Sequence, residues 1–236
     1  MVNGEKRLQL SIVIPTLNAG RVIKSPLQTL TLIFSSIQPE IIVSDGGSSD
    51  ETIAIAEEIG TAIVTGEKGR GGQLKRGAQK ATGDWLLFLH ADTNLDENAL
   101  LAIKQFIQND ENKQRIGYFR FKLDSQTDDA RKLERKIAWR CNTFALPYGD
   151  QGFLISREFY HELGGFRPYP LMEDVDLIWR IDRKHGKSAI LPLDADAITS
   201  AHKFERDGYF RRSAKNLFCL FLFWIKVPPS LITKIY

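Results

Sequence analysis

Three acidic positions stand where a strand is expected to end or a helix to begin: Asp45 after the apolar run 41–44, Asp92 after the run 85–90, and the pair Glu173–Asp174 just ahead of Val175. Carboxylates set beyond the carboxyl ends of buried parallel strands converge on the crevice where open α/β sheets bind ligands. Acids in that place bind a ribose, hold a hard divalent cation or take a proton from an attacking group. The layout is that of an enzyme handling a nucleotide.

Each acid has neighbours that extend this chemistry. Pro15-Thr16-Leu17-Asn18 closes the first apolar run with a turn whose free amides and short polar side chains suit a base or a ribose. Asp45-Gly46-Gly47-Ser48-Ser49-Asp50 joins a strand-end acid to two glycines that let a ligand approach the backbone; alone it reads equally as an ordinary loop and helix cap. Lys68-Gly69-Arg70-Gly71-Gly72-Gln73 interleaves glycines with two cations, a composition that folds over a diphosphate with Arg70 as a bidentate grip, or that makes a flexible loop. His90-Ala91-Asp92 follows the most apolar strand, so Asp92 emerges at the carboxyl edge, where a cation bridging a nucleotide diphosphate wants a carboxylate. His202, after an expected strand over 196–201, is placed either to offer an imidazole to that cation or to be an ordinary core or surface histidine. No Gly-x-Gly-x-x-Gly follows the first strand and no Walker lysine motif is present, which argues against a dinucleotide cofactor and a P-loop.

The elements that must position these residues follow from periodicity and punctuation. Strands are expected over 8–15, 41–44, 62–64, 85–90, 116–123 and 196–201, and helices over 22–34, 50–58, 75–81, 98–108 and 131–144. Strands alternating with helices imply a parallel sheet covered on both faces. A chain of 236 residues fits one domain, with a first half over about 1–95, a second half over about 96–205 and a helical extension over 206–236. With 32 basic and 29 acidic residues the formal charge is +3, too even for a polyanion partner, so nucleic acid is excluded as the main ligand. Cys141 and Cys219 lie far apart without metal-ligand spacing, and the opening Met-Val-Asn-Gly-Glu-Lys carries no apolar leader; both point to a reducing cytoplasmic setting with buried thiols.

Together these pieces resemble the inverting family-2-type glycosyltransferases of the GT-A fold. The resemblance runs over nearly the whole chain: 11–18, Asp45-Gly46-Gly47-Ser48, Gly69-Arg70-Gly71, His90-Ala91-Asp92-Thr93, Gly149-Asp150-Gln151, Leu163-Gly164-Gly165-Phe166 and Met172-Glu173-Asp174-Val175-Asp176. It implies a single α/β GT-A domain with a mixed, mostly parallel sheet and helices on both faces. It also implies that Pro15, Thr16, Asn18 and Asp45 hold the nucleoside, that Gly69, Arg70 and Ala91 border the donor, and that Asp92 binds Mg²⁺ or Mn²⁺ through the diphosphate. His202 is the further metal candidate. Asp174 matches the general base, with Glu173 or Asp176 in its place if the register shifts. The donor is then a nucleoside-diphosphate sugar and the acceptor a hydroxyl on a small molecule, a glycan or a lipid-linked molecule.

Two positions depart from the family pattern: the Asp-x-Asp metal motif is His90-Ala91-Asp92 here, and the acid that usually follows Asn18 is Ala19. His-Ala-Asp-Thr, with Thr199-Ser200-Ala201-His202, is similar to a small bacterial subfamily often labelled for arsenosugar biosynthesis. A nucleotidyltransferase of related topology and a catalytically silent nucleotide-sugar-binding module are the alternatives.

Residues 217–225 form a run of nine apolar side chains, well short of the roughly 20 that a spanning helix needs. A helix packed on its own domain is the expectation. Arg211, Arg212 and Lys215 ahead of it and Lys226 behind it also suit peripheral contact with a bilayer or a second subunit.

Overall fold

The computed structural model describes residues 9–236; Leu8 and the opening residues read for a leader lie outside them. The elements run β1 (Leu10–Thr16), α1 (Gly20–Ile33), β2 (Glu40–Asp45), α2 (Thr52–Glu58), β3 (Ala62–Thr65), α3 (Arg70–Lys80), β4 (Trp85–Phe88), β5 (Thr93–Leu95) and α4 (Ala99–Gln108). They continue through β6 (Ile116–Leu123), α5 (Asp128–Phe144), β7 (Phe153–Ser156), α6 (Arg157–Glu162), α7 (Glu173–His185), β8 (Ile190–Thr199), α8 (His202–Asp207), α9 (Tyr209–Trp224) and α10 (Pro229–Ile232).

The strands form one sheet in the order β3-β2-β1-β4-β7-β6-β8-β5. β3, β2, β1 and β4 are parallel, β7 runs antiparallel between β4 and β6, β8 is parallel to β6, and β5 closes the far edge antiparallel to β8. The sheet is therefore mixed, whereas the strand–helix alternation alone implied a wholly parallel one. The two strands that reverse direction, β5 and β7, are three and four residues long and too short to print a period-2 pattern.

The first-half strands carry apolar residues on both faces because both faces of the sheet are covered. On β1, Val13 packs into one core with Ile42, Leu86 and Phe88 beneath α3, α5 and α7, while Ile12 and Ile14 pack into the other with Val43 and Leu87 beneath α1, α2 and α4. Each such fully buried aliphatic contributes about 1.5–3 kcal/mol, which makes these strands a stiff frame for whatever hangs on their ends.

Two elements differ from expectation in ways that matter for the site. α3 starts at Arg70 rather than at Lys75, so the glycine-rich stretch is a helix's first turn and not a loop. Tertiary packing overrides poor propensity here: a Cβ on Gly71 would lie 2.1 Å from the Arg167 carbonyl oxygen. The apolar run 217–225 lies in α9, but only Cys219 of that helix is fully buried, and Leu217, Phe218, Phe221 and Trp224 face outward. No helix among the described residues is long and apolar enough to cross a membrane.

Candidate functional site

The parallel strands β1, β2 and β4 end on one edge of the sheet, and α3 and α7 begin there. Their N-termini add the positive ends of two helix dipoles to that edge. A cleft of about 120 Å³ opens between them, lined by Arg70, His90, Asp92, Asp150, Asp174 and Lys203 among others.

Asp174, the expected base, lies in this cleft on the first turn of α7. Its Oδ2 accepts the Gly149 N–H at 2.8 Å and its Oδ1 accepts the Val175 N–H at 2.8 Å, so backbone alone orients it. Met172, just before the helix, sits at φ 65°, a left-handed conformation that is strained for a side chain of this kind and that turns the chain into α7. A Cβ on Gly149 would lie 3.0 Å from His90 Nε2 and 3.4 Å from Asp174 Oδ2, so any side chain there would press on both.

The other acids of the same helix have different employment. Asp176 is buried between Arg167 and Arg180, each at 2.9 Å, and does not line the cleft. Glu173 is 1 % exposed, and among the described residues it pairs with Arg70 at 3.5 Å, with no hydrogen bond to either oxygen. Burial pushes the Glu173 carboxyl up to about 7 against the pull of Arg70, and Glu173 in turn raises Arg70 further. Neither acid competes with Asp174 for a substrate in the cleft.

On the opposite wall, Asp92 Oδ2 receives the Lys203 ammonium at 2.9 Å. Burial would raise the Asp92 carboxyl, but His90 and Lys203 together hold it below the usual carboxylate range. Burial and then the charge of Arg70 push His90 down to about 4, leaving a neutral imidazole at neutral pH. Asp150 points a buried Oδ1 with no partner among the described residues, and burial pushes its carboxyl up to about 6.

The structure gathers Arg70, Asp92 and Asp174 in the cleft, with Gly69 and Ala91 next to Arg70 and Asp92 in the chain. Pro15, Thr16, Asn18 and Asp45 are on the same sheet edge but do not line that cleft. Asp45 accepts from Thr16 Oγ1, the Gly47 and Ser48 N–H groups and Ser48 Oγ; these hydrogen bonds, led by Ser48, outweigh burial and hold its carboxyl below the ordinary range. Asn18, at φ 50°, clasps the same loop through the Ser49 N–H at 2.9 Å. Both residues order the loop that follows β2.

His202 is the expectation that the geometry corrects. It is exposed at the first position of α8 and does not line the cleft, whereas Lys203, its neighbour, does. One residue along a helix turns the side chain by about 100°, enough to exchange an imidazole for an ammonium at the site. Among the described residues no three His, Cys, Asp or Glu side chains cluster as a metal cage. Asp92 can offer a single carboxylate, which suits a hard divalent ion only if phosphate oxygens and water complete its shell.

Sequence reasoning missed three residues of this edge. Asp150 was visible only as part of Gly149-Asp150-Gln151, with no role attached to it, and Lys203 gave no signal. Gln73 is buried on α3 and donates from Nε2 to the carbonyls of Thr16 and Ser44, at 2.6 and 3.1 Å, tying the ends of β1 and β2 together.

The family described as Glycosyl transferase family 2 matches residues 11–169, two thirds of the chain and everything in the site except α7 and the elements beyond it. The chain belongs to that family. One stretch of the chain is 37 % identical over 99 positions to a PGL/p-HBAD biosynthesis glycosyltransferase of Mycobacterium bovis, 39 % of this chain and 38 % of that relative. A glucosyl-3-phosphoglycerate synthase of Mycolicibacterium smegmatis is 32 % identical over 92 positions, 35 % of this chain and 30 % of the relative. The chain thus covers well under half the length of either. The crystal structure of the glucosyl-3-phosphoglycerate synthase of Mycobacterium tuberculosis with Mn²⁺, UDP and phosphoglyceric acid superposes with a TM-score of 0.66 at 20 % identity, over 94 % of this chain and 80 % of that one. At that identity the likeness speaks for the fold: a single α/β domain of the GT-A kind, with a mixed sheet and helices on both faces.

Proposed function

We propose that this glycosyltransferase moves a sugar from a nucleoside-diphosphate sugar to an acceptor hydroxyl with inversion at the anomeric carbon. The observation that carries the reading is Asp174: a carboxylate held only by backbone amides at the start of α7, in a cleft that also presents Arg70 at the start of α3 and Lys203. Asp174 takes the proton as the acceptor oxygen bonds to the anomeric carbon. The bond from that carbon to the diphosphate breaks in the same step, and the nucleoside diphosphate departs with the electron pair. Arg70, fixed by buried Glu173, and the start of α3 stabilise the growing negative charge. Asp92 is the residue to hold a divalent cation such as Mg²⁺ or Mn²⁺, exchanging Lys203 for it; the bound cation would neutralise the diphosphate. The relative crystallised with Mn²⁺ and UDP supports both the donor class and the cation. Pro15, Thr16, Asn18 and Asp45 order the loops on the nucleoside side, Gly69 and Ala91 border the donor, and the likeness to the His-Ala-Asp-Thr subfamily belongs to the same proposal.

A panel of nucleoside-diphosphate sugars with and without Mn²⁺ tests this. One donor is expected to raise the melting temperature and release free nucleoside diphosphate when an acceptor is supplied, with the product anomer opposite to that of the donor by NMR. Retention at the anomeric carbon would remove Asp174 from the role of base to the attacking hydroxyl, and the absence of any donor-dependent stabilisation would remove sugar transfer itself.

A further inference from the structure

The last segment of the chain is built the wrong way round for a helix that merely packs on its own domain. On α9, Phe210, Leu217, Phe221 and Trp224 fall within about 60° of arc on one side, and Cys219, the buried residue, falls opposite. The stripe is in solvent: Phe210 is 84 % exposed, Leu217 65 % and Trp224 68 %. Over 209–236 the chain has five cations, Arg211, Arg212, Lys215, Lys226 and Lys234, and not one acid.

A second feature lies at the same end. Between α7 and the turn joining α9 to α10 is a recess of about 810 Å³ whose lip carries Trp224 and whose walls carry Trp179, Arg183 and Lys226. Arg167 and Asp176 also face it but are already paired with each other. No ion pair engages Arg183 or Lys226 among the described residues. Aromatic rings beside uncommitted cations suit a phosphate head group at an apolar boundary.

We infer that α9 and the α9–α10 turn dock this protein on an anionic lipid bilayer, with the apolar stripe among the acyl chains and lipid phosphates meeting Arg183, Lys226 and Arg211. The charge pattern selects this occupant over a second copy, because a two-fold contact through the stripe would set acid-free basic segments against each other. Arg212 and Asn216 line the cleft from the side of α9 opposite the stripe, so docking sets that helix between the lipid surface and the cleft.

Vesicle sedimentation of the full chain tests the inference without reading turnover, so its failure leaves sugar transfer standing and the reverse also holds. The chain is expected to sediment with phosphatidylcholine vesicles containing phosphatidylglycerol at low salt. Binding should be roughly tenfold weaker to pure phosphatidylcholine and in high salt. Leu217→Gln/Phe221→Gln/Trp224→Gln should abolish binding with an unchanged melting temperature, and Arg183→Glu/Lys226→Glu should erase the preference for anionic lipid. Should the triple variant fail to fold, the charge-reversal pair decides alone. A chain that stays in the supernatant at low salt, or a wild-type dimer that the triple variant dissolves, overturns the inference.

Discussion

Asp174 and Asp176 are two residues apart on the same helix, and their environments divide them into a reactive group and a structural one. Two arginines saturate Asp176 in a buried place, where removing one partner of an ion pair costs several kcal/mol. Backbone amides orient Asp174 and leave lone pairs toward the cleft. Asp174→Asn is therefore expected to lower kcat by about 10² or more with donor affinity near wild type, the loss expected of a general base. Asp176→Asn should instead lower the melting temperature, with kcat per folded molecule largely kept. Steady-state kinetics beside calorimetric binding separates the two; a reversal of the pattern would move the base to Asp176.

At the same scale, the sequence was most legible where a residue type follows an apolar strand. Asp45 and Asp92 fall on the predicted edge because strand length and polarity fix where a chain leaves a sheet, whereas Asp174 reaches it at the start of α7. Side-chain direction was less legible. His202 and Lys203 differ by a single step along α8, and the partner that selects between them, Asp92, lies far away in sequence.

Among elements, the junction of α3 and α7 is where buried charge is concentrated. Glu173 lies under the first turn of α7 against Arg70 on the first turn of α3, and burial raises its folded-state value to about 7. For an acid raised above its unfolded value, the stabilising form is the protonated one. The associated stability is full below pH about 4.5 and is lost as pH rises through about 7. Wild type should therefore lose on the order of 2–3 kcal/mol over that window relative to Glu173→Gln, which does not titrate. Melting temperatures of the two proteins from pH 4.5 to 8 give the answer. Parallel curves would show that Glu173 ionises at little cost, and the buried-acid account of this junction would fall. The junction also marks a limit of sequence reading: Gly71 and Gly72 argue for a loop, and only the approach of the Arg167 carbonyl shows why a helix there needs glycine.

Over the whole molecule, the first half was legible because β1 to β4 obey strand–helix alternation. The second half was legible only in part: β6 and α5 were expected, but β5 and β7 were not, because its connections are long-range and its reversing strands are short. The consequence concerns time. β3, β2, β1 and β4 pair entirely within residues 10–88, whereas β5 registers with β8 through Thr93 opposite Thr199, about a hundred residues later in the chain. Asp92 sits on the span between β4 and β5, so one end of its tether is anchored early and the other only when β8 arrives. Non-local pairing is slow to form, and domains emerge from the ribosome N-terminus first. Pulse-labelled hydrogen exchange during refolding should protect amides of β1, β2 and β4 before those of β5 and β8; simultaneous protection would contradict this order. A nascent chain would then carry the finished edge of β1, β2 and β4 with its opposite wall still absent, so under the proposed function the half-made protein has no means of consuming donor before β8 is in place.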